Sequence, residues 1–263
     1  MRETFAVLKH NQYILFTIIA GILTQFTPSS DTYPIYRFLV PKQKLGKTVI
    51  SGEAILAFGR QISGTPVTFL YPFVGAVVKA VGSPKRMQVI NYSIYTLVNV
   101  VKFFAGYKNW GALAVNILMD TITETLNPLN NYADHILYYE MFDYVEWKTG
   151  VRSEGITQAF QGVIDKMIKN NIDSFTGNAF QSWTGITQVD WNDPNAKVPA
   201  RYAKWAWPLF TLAPVVDNLI MLIARASFHY EADKRDIIEA ELKERRALAE
   251  KMKEELTAEP ETV

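Results

Sequence analysis

The sequence predicts an all-α membrane protein with six transmembrane helices, and three features of the 263-residue chain carry that expectation. Hydrophobic residues make up 49% and aromatic residues 13%, while charge is thinned to 20%, below the quarter usual in soluble domains. The charge that remains is segregated into the C-terminal tail and a few short clusters, so an average hydropathy near zero hides long apolar tracts. The first of these, Tyr13-Ile14-Leu15-Phe16-Thr17-Ile18-Ile19-Ala20-Gly21-Ile22-Leu23, is apolar on every face. An amphipathic helix of a soluble all-α protein has a polar side, and this segment has none.

Taken in order, uncharged stretches near membrane length occur at 11–30 and 61–78, with a shorter one at 87–101. Arg2 and Lys9 precede the first as in a signal peptide, but Leu23-Thr24-Gln25-Phe26 offers no small-residue cleavage site, so it reads as a first membrane helix. Segments 110–139, 155–184 and 205–230 are hydrophobic but interrupted by charge, and each is long enough to span. The expected spans are 11–36, 50–79, 87–106, 110–142, 155–184 and 205–229. Gly, Pro, Lys and Asp collect in the breaks at 41–47, 81–86, 106–109, 143–152 and 190–204, as loop chemistry requires. From 231 to 263 the chain reads as a solvated, charged cytoplasmic tail helix, with Glu239–Lys243 and Glu241–Arg245 at i,i+4 in the favourable order. The loops alone do not decide orientation; the basic tail tips both termini to the cytoplasmic side of a multi-pass protein of the cytoplasmic (inner) membrane.

Other classes are excluded by what the chain lacks. It has no cysteine, and His10, His135 and His229 lie far apart without ligand spacing, which removes thiol and metal-site chemistry. A formal net charge of +1 with no basic stripe gives no nucleic-acid footprint. No nucleophile, metal set or phosphate-cradling glycine loop accompanies the carboxylates, so the expectation is a protein that is not an enzyme and carries no cofactor.

Ionisable groups inside a bilayer are costly unless they face protein or water, so polar patterns within the spans mark candidate sites. In the fourth, Asp120, Glu124, Asn127, Asn131 and Asp134 recur at alternating intervals of four and three, drawing one stripe down a helix face. Pro128 within it loosens the helix. Asn127, Asn131 and Asp134 are read as cavity lining, with Asp120 and Glu124 nearer the water. The fifth span carries Gln158, Gln161, Asp165, Lys166, Lys169, Asn170 and Asp173. Lys166 falls roughly 17 Å along this helix, near the midplane of a core about 30 Å thick, which makes Gln161, Asp165 and Lys166 the other cavity candidates. Arg37, Arg60 and Arg225 read as interfacial or packing residues.

The run Glu140-Met141-Phe142-Asp143-Tyr144-Val145-Glu146-Trp147-Lys148-Thr149-Gly150-Val151-Arg152-Ser153-Glu154 resembles a hallmark of the glycoside–pentoside–hexuronide:cation symporters, melibiose-carrier-like members of the major facilitator superfamily. Glu140 stands where that pattern usually opens on aspartate, and Lys166 follows the motif at the distance of a lysine in that family's polar cavity. The similarity begins at Arg2-Glu3-Thr4-Phe5 and covers nearly the whole chain. It implies that the six helices form the C-terminal bundle, one half of a major facilitator fold built from two three-helix repeats. The implied function is cation-coupled uptake of a glycoside or related sugar by alternating access, with Na⁺ or H⁺ bound mainly by the other half. The implied partners are a sugar-like small molecule, the lipid bilayer, and an N-terminal six-helix half or a second copy. A non-transporting scaffold or partner subunit derived from such a half, or a truncated product, is the alternative. Asp143, Tyr144, Glu146, Lys148, Arg152 and Glu154 form a dense two-sign cluster suited to a cytoplasmic gate of ion pairs, with Arg152 placed to meet Asp143 or Glu146 across the turn, or an acidic group on the partner bundle.

Overall fold

The computed structural model describes residues 12–28, 31–151, 154–191, 193, 196–228 and 234–258. It is helical almost throughout. Helix α1 spans Gln12–Thr24, after which Pro28 interrupts the chain before a helical turn at Thr32–Pro34 and a π turn at Ile35–Leu39. The expected span 11–36 is therefore two helical pieces, because proline cannot donate the backbone bond that would join them. A small hairpin follows, β1 (Gln43–Leu45) against β2 (Thr48–Ile50), with Gly46 at φ 62° in its turn.

Helix α2, Gly52–Val81, starts at Ser51, whose hydroxyl accepts from the Ala54 amide, and bends through a 3-10 turn at Tyr71–Phe73. Helix α3, Pro84–Ala105, has the Ser83 cap with proline in its first turn, and α4, Trp110–Thr149, has an Asn109 cap. Helix α4 does not stop at 142. The residues expected in a loop continue the helix to Thr149, and Gly150 at φ 72°, ψ 1° ends it in the left-handed conformation. Helix α5 comprises Glu154–Ile164, a π turn at Asp165–Lys169 and Asn170–Thr184. Helices α6, Ala200–Ser227, and α7, Arg235–Ala258, complete the chain.

Helix α3 lies between α4 and α6; α2 packs on α4 and α1 on α6. Two apolar clusters occupy the ends of the bundle. Ile35, Tyr36, Ile55, Leu113, Tyr202 and Trp207 pack at the hairpin end, where Trp110 Nε1 donates to the Lys44 carbonyl at 2.9 Å. Tyr13, Ile14, Leu137, Met141, Phe142 and Phe228 pack at the other. Large apolar side chains also cover the outside: Phe104 is 79% exposed, and Phe58, Phe69, Leu97 and Phe175 are similarly bare, as a lipid-facing surface requires. Among the described residues two helices, Gly52–Val81 and Ala200–Ser227, are long and apolar enough to cross a membrane, against the six spans expected. Helix α1 is apolar but shorter, and the other bodies carry the charged residues that the sequence displays.

Candidate functional site

Between the two apolar clusters α2, α3, α4 and α6 enclose a cavity of about 760 Å³. Its wall is polar on three sides. Helix α2 contributes Arg60, Ser63 and Gly64; α3 contributes Tyr92, Tyr95, Asn99 and Lys102; α4 contributes Asp120, Thr123, Glu124, Asn127 and Asn130. Helix α6 closes it with Phe210, Pro214 and Asn218. The α3 and α4 residues reach one space because their three- and four-residue spacings return each side chain to the same helix face.

The charged groups in this wall are ordered. Lys102 Nζ lies 2.6 Å from Asp120 Oδ1, with the lysine side chain only 8% exposed and the aspartate 41%. The same ammonium sits 4.8 Å from the Phe210 ring centroid. A buried ammonium needs such company, because its own desolvation is worth several kcal/mol. One turn along, the Tyr95 hydroxyl donates to Asn127 Oδ1 at 3.1 Å and Asn127 Nδ2 donates to Glu124 Oε2 at 3.3 Å. The cavity thus offers hydroxyls, amides and both signs of charge beside four aromatic rings, those of Tyr36, Tyr92, Tyr95 and Phe210.

The residues expected to line a cavity separate into three places. Asn127 is on this wall, together with Asp120 and Glu124, while Asn131 is exposed on another face and Asn130 takes its place. Asp134 belongs to a second network. It accepts from Tyr13, from Gln88 Nε2 at 2.8 Å and from Arg225 at 2.9 Å, and Arg225 also donates to Thr17. Arg225, expected at the interface, has a side chain 2% exposed and lies 4.6 Å over the Tyr13 ring. Four helices meet at Asp134. Gln161, Asp165 and Lys166 sit on α5, away from the cavity. Lys166 is exposed; the lysine turned into the protein is Lys169, which pairs with Asp165 at 2.5 Å and lies against Gly21 of α1.

Sequence reasoning missed the α3 wall. Gln88, Tyr92, Tyr95, Asn99 and Lys102 follow the same three-and-four spacing that exposed the α4 stripe, so the signal was present in the chain. Arg60, expected as an interfacial or packing residue, lines the cavity, a place that follows from a contact between helices that no local pattern encodes.

The charged cluster at the end of α4 is held by the tail. Arg246 donates to Asp143 at 2.7 Å and to both oxygens of Glu146, at 3.0 and 2.6 Å. These bonds, first those to Glu146, hold the guanidinium well above the usual arginine range. Trp147 Nε1 donates to Glu241 Oε2 at 2.6 Å, and Ile238 and Leu242 of α7 are buried. Lys148 lies 4.6 Å over the Trp147 ring and 5.6 Å over that of Tyr144. Glu154 opens α5. Arg152, expected to meet Asp143, Glu146 or an acidic group of a partner bundle, lies outside the described residues; among the described residues Arg246 stands on both carboxylates.

A family model described as MFS/sugar transport protein matches residues 51–231, from the cap of α2 to just beyond α6. Comparisons with curated proteins and with solved structures give no match. With more than half of its length matched, and with a polar cavity among apolar-skinned helices, the chain belongs to the MFS/sugar transport protein family of the major facilitator superfamily.

Proposed function

We propose that this chain is the C-terminal bundle of a melibiose-carrier-like secondary transporter, which takes up a glycoside or related sugar with Na⁺ or H⁺ by alternating access. The cavity carries this reading. A sugar has an apolar ring face and a belt of hydroxyls that both donate and accept, and Tyr92, Tyr95 and Phe210 stand beside Asn99, Asp120, Glu124 and Asn127 in a space of about 760 Å³. The ligand's hydroxyls replace water on these groups as they enter. Asp120 is already engaged by Lys102, so we assign the coupling cation mainly to acidic groups of a companion bundle.

The need for that companion is argued from exposure. Lys166, Asn170 and Asp173 on α5, and Arg60, Gln61 and Thr65 on α2, are exposed beside apolar side chains such as Met167, Phe175, Phe58 and Phe69. In a bilayer such groups require protein or water next to them, and a second bundle across a shared aqueous path supplies both. Alternating access then means that the two bundles rock about the sugar, with Asp143, Glu146 and Arg246 at one mouth.

The test is uptake of a panel of labelled glycosides into vesicles carrying this chain together with an N-terminal bundle, with and without an imposed Na⁺ or proton gradient. At least one sugar accumulates only with a gradient, and Asn127→Ala weakens its half-saturation by about tenfold, as loss of a polar ligand contact does. If no sugar is accumulated, and none alters the tryptophan fluorescence of the assembled protein, the reading fails.

A further inference from the structure

On the outer side of the bundle, away from the polar cavity, the segment just after α1 together with α5 and α6 leaves an apolar groove of about 420 Å³. Phe26, Ala179, Trp183, Trp205 and Leu209 line it. Helix α5 meets the rest of the bundle at Lys169 against Gly21 and at Phe180 in the apolar cluster, and the groove lies at the second of these contacts, with Phe180 in its lining. Trp183 is 46% exposed and Trp205 40%, with ring centroids 6.1 Å apart.

Two cations sit on those same rings. The Arg201 guanidinium lies 5.5 Å from the Trp183 ring, and the Lys204 ammonium 5.6 Å from the Trp205 ring. Arg201 also donates to the Trp183 carbonyl at 2.9 Å, which fixes its place at the groove's rim. Arg201 and Lys204 stand three residues apart at the start of α6, with Lys197 just before the helix and no acidic residue from 196 to 205. An apolar slot with tryptophans at its mouth and cations beside them matches the anatomy of one ligand class. A phospholipid has an acyl chain for the slot, a glycerol region at the depth where indoles settle, and a phosphate for the cations.

We propose that this groove is a binding site for an anionic phospholipid, with one acyl chain along Phe26, Ala179 and Leu209 and the headgroup against Arg201 and Lys204. The charge selects the headgroup. A zwitterionic lipid offers its phosphate together with a compensating ammonium, whereas a lipid such as phosphatidylglycerol leaves the two cations with net negative charge opposite them. The inference rests on the membrane placement that the family supplies and is independent of which substrate is carried.

The full chain, reconstituted in nanodiscs of unbrominated zwitterionic lipid, is titrated with phosphatidylglycerol or phosphatidylcholine carrying brominated acyl chains, which quench nearby tryptophans. Phosphatidylglycerol reaches half-maximal quenching at a roughly tenfold lower lipid fraction than phosphatidylcholine, given two basic residues at the headgroup. The preference is lost in Arg201→Gln/Lys204→Gln, whose substitutions are on the surface. It is also lost in Trp183→Phe/Trp205→Phe, which removes the reporters of this groove among the six tryptophans of the chain. Equal quenching by the two lipids overturns the proposal, as does a preference that survives either double substitution.

Discussion

Lys102 and Asp120 illustrate how a single pair decides the character of the cavity. The ammonium is almost fully buried and the carboxylate is partly open, so the two substitutions are not equivalent. Asp120→Asn leaves the buried cation with a neutral amide, at a cost on the order of 1–3 kcal/mol, below that of stranding a fully buried charge because water reaches the site. Lys102→Met leaves a carboxylate that water can solvate and costs less. The double change Lys102→Met/Asp120→Asn recovers most of the stability of the single Asp120→Asn, which thermal unfolding in detergent measures through a double-mutant cycle. An additive result would mean that the pair contributes nothing as a pair. At this scale the sequence was half legible. The α4 stripe could be read because polar residues inside a hydrophobic segment stand out at a fixed spacing. Its depth assignments could not, since Asn130 rather than Asn131 faces the cavity and Asp134 turns to Arg225, 91 positions away. A helical wheel places residues to within a sector, and the neighbouring helix decides which edge of the sector is inside.

Among the elements, the join between the π turn at Ile35–Leu39 and the start of α2 shows why one glycine is required where another is optional. A Cβ on Gly52 would stand 1.8 Å from the Tyr36 carbonyl oxygen, a backbone atom that cannot swing away. Gly64, on the cavity side of the same helix, has nothing within 4 Å of that position. Gly52→Ala therefore costs at least about 3 kcal/mol, the upper range for forced overpacking, and lowers the yield of folded protein. Gly64→Ala is neutral or gains up to about 1 kcal/mol from helix propensity. The ratio of monodisperse protein recovered from the two variants checks this, and equal recovery would remove the close approach as an explanation. The helices were legible as elements because apolar stretches are bounded by breaks rich in Gly, Pro, Lys and Asp, and Gly82, Gly106 and Gly150 in those breaks stand at positive φ where α2, α3 and α4 end. Two boundaries were not. The turn expected from 143 is helical to Thr149, because the charge cluster there is solvated or matched by α7 and so does not break the helix. The first span divides near Pro28, whose effect depends on neighbours distant in sequence.

For the molecule as a whole, the exposed apolar skin predicts that the chain sediments with membranes, resists extraction at alkaline pH and needs detergent, with recovery in detergent-free buffer as the contrary result. The exposed polar faces of α2 and α5 predict in addition that sugar accumulation requires the companion bundle. Liposomes holding this chain alone show none, whereas coexpression restores it; accumulation by the chain alone would refute the division of labour. Helix α4 adds a mechanical aspect to this picture. Its 40 residues make a rod about 60 Å long, twice the thickness of a hydrocarbon core, with Pro128 near the middle. A fulcrum at that point gives the rod two arms of similar length, one bordering the cavity and one ending at the Asp143–Glu146–Arg246 clasp. A swing of about 10° carries the far end through about 5 Å, since the arm from Pro128 to Thr149 is about 30 Å. Spin labels at Thr149 and at Arg86, at the start of α3 where Gln88 meets Asp134 of α4, would register that displacement when substrate is added to the assembled carrier, and an unchanged distance would count against a pivot. With such a pivot the clasp would be the loaded end of a first-class lever, a small rotation at the cavity becoming a stroke long enough to break its ion pairs.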